Sequence, residues 1–226
     1  REPGWLLPNE VYALLSCYRL PVLPQAIVQS ATAAREAAAE LGGEIALKAI
    51  APGLVHRTEA GAVRLSLQPH ETAVAAQEMD ERLRANGVQP SGFLVQRMAE
   101  PGVEMLVGVV HDQQFGPLVA CGAGGVLVEL IKDVSVRLAP LSTRDAEEML
   151  RELKSYPLLT GYRGAAAGDV SALVDAILRV SMLVENIPQI AELDLNPILV
   201  HERGVTVVDA RIRVEPADVR PTLGIR

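Results

Sequence analysis

The chain has 226 residues, enough for one large domain or two lobes with a substantial core. Apolar residues make up 49% and aromatic residues only 3%, which excludes a disordered or fibrous protein. The net charge of −7 argues against broad nucleic-acid binding, which needs clustered lysine and arginine, so an anionic ligand would have to meet locally gathered cations.

No apolar run approaches the roughly 20 residues of a membrane span, and no signal peptide opens the chain. The expected location is the cytoplasm, with no membrane partner. Cys17 and Cys121 lack metal-ligand spacing. They read as buried thiols in a reducing compartment, with a disulfide as the alternative. The chain begins at Arg1 rather than methionine, so it is expected to be part of a longer protein whose other modules lie outside it.

In chain order, Asn9-Glu10 opens a short amphipathic helix with Val11, Leu14, Leu15 and Tyr18 at helical spacing, ended by Pro21 and Pro24. Ser30 caps an alanine-rich helix to Leu41, stopped by Gly42-Gly43. Glu44–Ile50 and the alternating Val63–Leu67 read as strands, the second half-buried. A helix over Thr72–Asn86 stops at Gly87, and a strand follows over Phe93–Met98.

Strands are then expected at Val103–His111, Phe115–Cys121 and near Val126–Leu130, the last two separated by Gly122, Gly124 and Gly125. Ser142 caps a helix with Asp145 three residues on. Tyr156–Asp169 is glycine-rich and irregular; Asp169 starts a long helix to Asn186; Ile190–Val200 and Val205–Arg211 are the final strands. The pattern is α+β, with four expected parts. They are an N-terminal helix (1–23), a small lobe (24–96), a large lobe (97–214) and a loose tail (215–226).

Two segments carry chemistry. In the first, Lys48 lies inside an apolar strand pattern, where an ammonium without a partner would be costly. The loop after it, His56-Arg57-Thr58-Glu59-Ala60-Gly61, mixes cation, hydroxyl and glycine, a composition that can surround phosphate oxygens. In the second, Glu192, Asp194 and Asn196 alternate with leucines on one face of a strand. The loop His201–Gly204 can close a hairpin with Gly204 left-handed. Pairing Val200 with Val205 makes paired positions sum to 405, which sets Asn196 opposite Asp209 and Asp194 opposite Arg211. Such neighbours have Cβ atoms about 4.5–5.5 Å apart. The oxygens suit magnesium, which takes a few protein donors and completes its shell with water and phosphate. The other reading is the polar face of an exposed hairpin.

The combination resembles the ATP-grasp fold, in particular the nucleotide-binding part of the NDP-forming acyl-CoA synthetases, relatives of the succinyl-CoA synthetase β subunit. The residues that carry the resemblance are ALKAIAPGLVHRTEAGAV (46–63), FLVQRMAEPGVEMLVGVV (93–110), FGPLVACGAGGVLVELIKDVSVRLAPL (115–141), LLTGYRGAAAGD (158–169) and AELDLNPILV with VVDARI (191–200, 207–212). The resemblance implies two lobes of mixed and antiparallel sheet flanked by helices, with ATP or ADP and magnesium between them. It implies that Lys48 reaches the phosphates and that the loop with His56, Arg57, Thr58 and Gly61 covers them. Gln96, Arg97 and Met98 would meet the adenine, Glu104 the ribose, and Arg211 joins the nucleotide contacts. Asn196 and Asp209, with Asp194 beside them, match the magnesium ligands.

In the ADP-forming members the loop histidine is thought to carry a phosphoryl group, so His56 is either that carrier or a simple phosphate donor. Here arginine stands at Arg57 for the usual lysine, and Gly61-Ala62 for Gly-Gly. The implied reaction is acyl-CoA + ADP + phosphate = carboxylic acid + CoA + ATP, through acyl phosphate and phosphohistidine. A CoA-binding domain and a second catalytic histidine would be supplied in cis or on another subunit. A different reading is a non-catalytic regulatory module fused to a GNAT acetyltransferase domain, and a third is an ATP-grasp carboxylate–amine ligase. His70, His111 and His201 read as solvated, Cys121 as a packed thiol, and Gly122–Gly125 as either an anion-binding nest or a tight turn.

Overall fold

The structure, a computed structural model, describes residues 3–51, 61–112, 114–125 and 133–216. The chain divides into two compact units, one of Leu23–Glu100 and one of Arg1–Val22 with Pro101–Arg226.

The Leu23–Glu100 unit holds β2 (Gln25–Val28), α2 (Ala31–Leu41), β3 (Ile45–Ile50), β4 (Val63–Leu67), α3 (Thr72–Ala85) and β5 (Gly92–Arg97). Its antiparallel sheet runs β2-β5-β3-β4. Ser30 Oγ accepts the Ala33 N–H at 3.2 Å and starts α2, and Gly42 ends it at φ 64°. The alanines of α2 let it approach α3 closely. Ala34, Ala37 and Ala38 form one buried cluster with Ala75, Ala76 and Met79 of α3 and with Ile45, Leu47, Ala49, Phe93 and Val95 of the sheet.

Two details depart from the sequence pattern. Strand β2 is absent from it, because four residues without alternation give no periodic signal; only pairing with β5 makes Gln25–Val28 a strand. In β4, Val63, Leu65 and Leu67 should share a face. Instead Ser66 takes φ 54°, the register against β3 shifts, and Leu65 is exposed while Leu67 is buried.

The second unit holds β1 (Gly4–Trp5), α1 (Pro8–Cys17), β6 (Val103–Asp112), β7 (Gly116–Ala123), β8 (Val134–Leu138), α4 (Thr143–Arg151), α5 (Tyr156–Leu159), α6 (Val170–Asn186), β9 (Ile190–Val200), β10 (Val205–Val207) and β11 (Ala210–Val214). Its strands form an antiparallel sheet ordered β1-β11-β9-β6-β7-β8, with β10 also on β9. One face is covered by helices. Val107, Val109, Val119, Cys121, Leu193 and Leu195 point into it, against Leu173, Ile177, Val180 and Val184 of α6, while β11 with Ile212 packs on α1. The other face carries Leu106, Gly108, Val110, Asp194 and Arg211.

Both expected caps form. Ser142 Oγ accepts from Asp145 N at 3.2 Å while Asp145 Oδ2 accepts from Ser142 N at 2.8 Å. Asp169 caps α6 through Ala172 N at 3.0 Å. Two expectations change, and one strand is added. Strand β7 continues through Gly122 to Ala123, because both pair with β6. The expected strand near Val126–Leu130 lies outside the described residues, while β8, which was not expected, pairs with β7. Tyr156–Asp169 contains the one-turn α5.

Cys121 is buried and its thiol is pushed up to about 12, first by burial. Cys17 is exposed, against expectation, because α1 buries the stripe Val11-Tyr12-Leu15 and position 17 lies off it. Among the described residues no helix is long and apolar enough to cross a membrane.

Asp169 does more than cap. Its Oδ2 accepts Gly204 N at 2.8 Å, which ties α6 to the β9–β10 hairpin. Its carboxyl is held below the ordinary range, first by the Gly204 N–H, then by the Ser171 hydroxyl and Ala172 N–H. The stabilisation is complete above the unfolded-chain carboxyl value of about 4 and is lost as pH falls through the lower folded value. Asp169→Ala should cost about 1–2 kcal/mol in urea unfolding at neutral pH. The gap between wild type and variant should close toward pH 2, and a gap of constant size would contradict this assignment.

Candidate functional site

The hairpin register is the one expected. Val205 pairs with Val200, Val207 with Ile198, Ala210 with Leu195 and Arg211 with Asp194, so each pair sums to 405. The Asn196 N–H donates to the Asp209 carbonyl at 3.1 Å, which sets these two residues opposite each other. Gly204 sits at φ 79° and closes the turn with His201 N donating to its carbonyl at 3.0 Å. Asp194, Asn196, Asp209 and Arg211 are therefore neighbours on the helix-free face.

The other edge of β9 refines this face. Met105 pairs with Ile198 and Val107 with Leu195, so β9 holds one extra residue there, a bulge at Asn196-Pro197. Gly108 stands opposite Asp194 and leaves the space beside that carboxylate clear. Asp194 is half-buried; burial raises its carboxyl, the nearby Asp209 and Glu192 raise it further, and Arg211 draws it down. In the next row Arg213 Nε holds Glu192 at 3.2 Å.

The end of β7 joins this group. Gly124 N donates to the Glu104 carbonyl at 2.8 Å, and Gly125 N lies 3.4 Å from Asn196 Oδ1. A side chain on Gly124 would meet Met105 O at 2.7 Å. One on Gly125, at φ 61°, would overlap the Glu104 carboxylate. The four residues Gly122–Gly125 are thus neither an isolated turn nor a nest. They are a strand end that brings Glu104 and Asn196 together. Gly108 and Gly125 were missed as site residues, although a glycine inside the apolar run Val107–Val110 is a signal of close approach.

In the Leu23–Glu100 unit, Lys48 is only 7% exposed, with Leu94 and Val63 opposite it in register. It shares the helix-free face of its sheet with Gln96, which is buried and donates to Gln25 Oε1 at 3.1 Å. Arg97 points to the other face and lies by Gly43. The N–H groups of Arg97 and Met98 are committed to the Pro24 and Glu44 carbonyls at 3.1 and 2.8 Å. Gly61 takes φ 66°, and the neighbouring Ala62 is buried in the core cluster. Its alanine is thus a packing residue. His56, Arg57 and Thr58 lie outside the described residues.

One histidine reading is refined. His201 is half-buried and its ring has protein partners: Nδ1 lies 3.1 Å from Pro101 O and Nε2 2.9 Å from Thr206 Oγ1. Among the described residues no group of three or more His, Cys, Asp and Glu is placed to hold a metal. The hairpin offers two carboxylates and an amide instead.

The model of the ATP-grasp domain matches residues 1–214. The chain belongs to the ATP-grasp family. It is 36% identical over 211 residues to the β subunit of the ADP-forming acetate–CoA ligase I of Pyrococcus furiosus, covering 92% of this chain and 90% of that one. Against the ADP-forming acetate–CoA ligase I of Archaeoglobus fulgidus it is 39% identical over 92% of this chain, but this ATP-grasp chain spans only 31% of that protein.

Among solved structures, the dinucleotide forming acetyl-coenzyme A synthetase 1 of Candidatus Korarchaeum cryptofilum, in complex with coenzyme A, Ca-AMPCP and HgCl+, superposes with a TM-score of 0.90. The two are 40% identical, and 94% of each chain is covered. A second structure of that synthetase contains coenzyme A and Mg-AMPPCP, with a phosphohistidine segment pointing towards the nucleotide binding site. It matches with a TM-score of 0.83 at 40% identity over 93% of each chain. The matched ligases do not support the acetyltransferase-linked regulatory reading.

Gly125→Ala tests the close approach directly. The left-handed backbone and the crowded Glu104 carboxylate should together cost about 1–2 kcal/mol, read as a lower unfolding midpoint. Wild-type stability in that variant would show that the contact is absent.

Proposed function

We propose that this chain is the ATP-binding, phosphoryl-transferring part of a cytoplasmic ADP-forming acyl-CoA synthetase. The whole enzyme would interconvert acyl-CoA, ADP and phosphate with the free acid, CoA and ATP. The CoA-binding and second histidine-bearing domains would lie in cis or on a partner subunit. The observation that carries the reading is the hairpin, which sets Asp194, Asn196, Asp209 and Arg211 on one helix-free face in a chain whose matched relatives are ligases of this type.

The donor set fits magnesium. Asn196 and Asp209 are hard oxygen donors on adjacent strands, and the excess of carboxylates around half-buried Asp194 favours a cation. Those residues would hold the ion, which when bound supplies charge neutralisation to nucleotide phosphates. Gly125 orients the Asn196 amide, leaving one lone pair of Oδ1 free. Arg211 stands opposite Asp194 as a counter-ion and offsets its charge, so Asn196 and Asp209 are the better ligands.

Lys48 would give the phosphates a fixed cation on a strand, where burial strengthens its field. Gln96 would meet the base with its side chain. Arg97 and Met98 could contribute their carbonyls but not their N–H groups, which are already committed. Glu104 would take the ribose hydroxyls. On the loop, Arg57, Thr58 and Gly61 would cover the phosphates, and neutral His56 would accept the phosphoryl group at a ring nitrogen and pass it on. Catalysis is then positioning and electrostatics.

Titration with Mg·ATP should give a saturable heat that is lost in Lys48→Ala and Asp209→Ala. A wild-type chain that binds no millimolar nucleotide would sink the site assignment. With γ-labelled ATP, the full enzyme should acquire an acid-labile, base-stable label that falls in His56→Ala. Undiminished labelling in that variant removes His56 from the pathway.

A further inference from the structure

His201 belongs to none of the roles above, yet three stretches of the chain converge on it. Its ring lies between the Pro101 carbonyl and the Thr206 hydroxyl, at 3.1 and 2.9 Å. Its backbone N–H goes to Gly204 O at 3.0 Å, and its carbonyl accepts Asp169 N at 2.7 Å. Gly102 passes so near that a side chain there would meet Val200 O at 2.8 Å and His201 Nδ1 at 3.1 Å. The hairpin turn, the start of α6 and the entry to β6 are thus fastened at one residue. Pro101 is also the first residue of the stretch that re-enters this unit.

The hydrogen-bond chemistry defines the ring. A proline carbonyl only accepts, so Nδ1 must carry the proton. In the neutral ring Nε2 is then the acceptor, and Thr206, which can donate through its hydroxyl, supplies the hydrogen. Three residues beyond Pro101 lies Glu104, whose carbonyl holds Gly124 and whose carboxylate crowds Gly125.

We infer that His201 is a positioning residue of the nucleotide site. Its imidazole, as the Nδ1–H tautomer, holds the Pro101 carbonyl at the entry of β6 and thereby fixes where Glu104 is presented. This rests on the reading of Glu104 as a nucleotide contact.

Two measurements test it. Long-range proton–nitrogen spectra of histidine-labelled protein should show His201 with its proton on Nδ1; a proton on Nε2 alone overturns the latch. In Mg·ATP titrations, His201→Ala should weaken binding roughly fivefold, and the same change in a Glu104→Ala background should add no further loss, because coupled residues are not additive. His201→Asn, which keeps an N–H near the Nδ1 position, should restore most of the affinity. Unchanged affinity in His201→Ala, or a full additional loss on top of Glu104→Ala, overturns the positioning role. A wild-type chain that takes no nucleotide overturns the nucleotide reading and this role with it. The tautomer spectrum, which needs no nucleotide, tells that failure from a failure of the latch.

Discussion

Strand β9 is paired along both edges, to β6 on one side and to β10 and β11 on the other, and the polar residues of its unit take their places from those two registers. A slip of one residue on either side would turn Asp194 and Asn196 into the hydrophobic layer and bring leucines out to solvent. The buried leucines therefore hold the carboxylates in place. Leu193 and Leu195 are packed against α6, which leaves Asp194 no other face to occupy. The bulge at Asn196-Pro197 adjusts this arrangement by one residue where the proposed ligands lie.

Small residues clear the ground around those side chains. Gly108 leaves the position beside Asp194 empty, and Gly124 and Gly125 let the end of β7 come within backbone distance of β6. These glycines carry no chemistry of their own. They allow Glu104, Asn196 and the carboxylates of the hairpin to share one surface, as the proposed charged ligand would require. The small unit follows the same plan with different means. Its alanine-rich helix packs tightly on one face of a four-stranded sheet, and the opposite face holds Lys48 and Gln96.

The charge of the protein takes on a clearer meaning in this setting. A net −7 chain that binds a polyanion needs cations at chosen points and not a basic surface. In the proposed reading Lys48 and Arg211 would be such points, each on a strand. Arg211 also moderates the cost of gathering Asp194, Asp209 and Glu192 together.

Much of this was legible in the amino-acid order. Ser30, Ser142 and Asp169 mark helix starts because a side-chain oxygen beside an orphan N–H is a local interaction. The hairpin register followed from the turn at His201–Gly204, since a short loop leaves two strands a single way to pair. Strands β2 and β8, the displaced Leu65 and the contact between His201 and Pro101 were not legible. Each depends on a partner far along the chain: β5 for β2, β7 for β8, β3 for the bulge in β4, and Pro101 for His201. Sequence alone determined the hairpin register and named the candidates for metal and phosphate, because those depend on short-range turns and side-chain chemistry. Only the tertiary structure decided which glycines let backbones touch and which histidine is bound, because those are properties of distances between segments that periodicity does not encode.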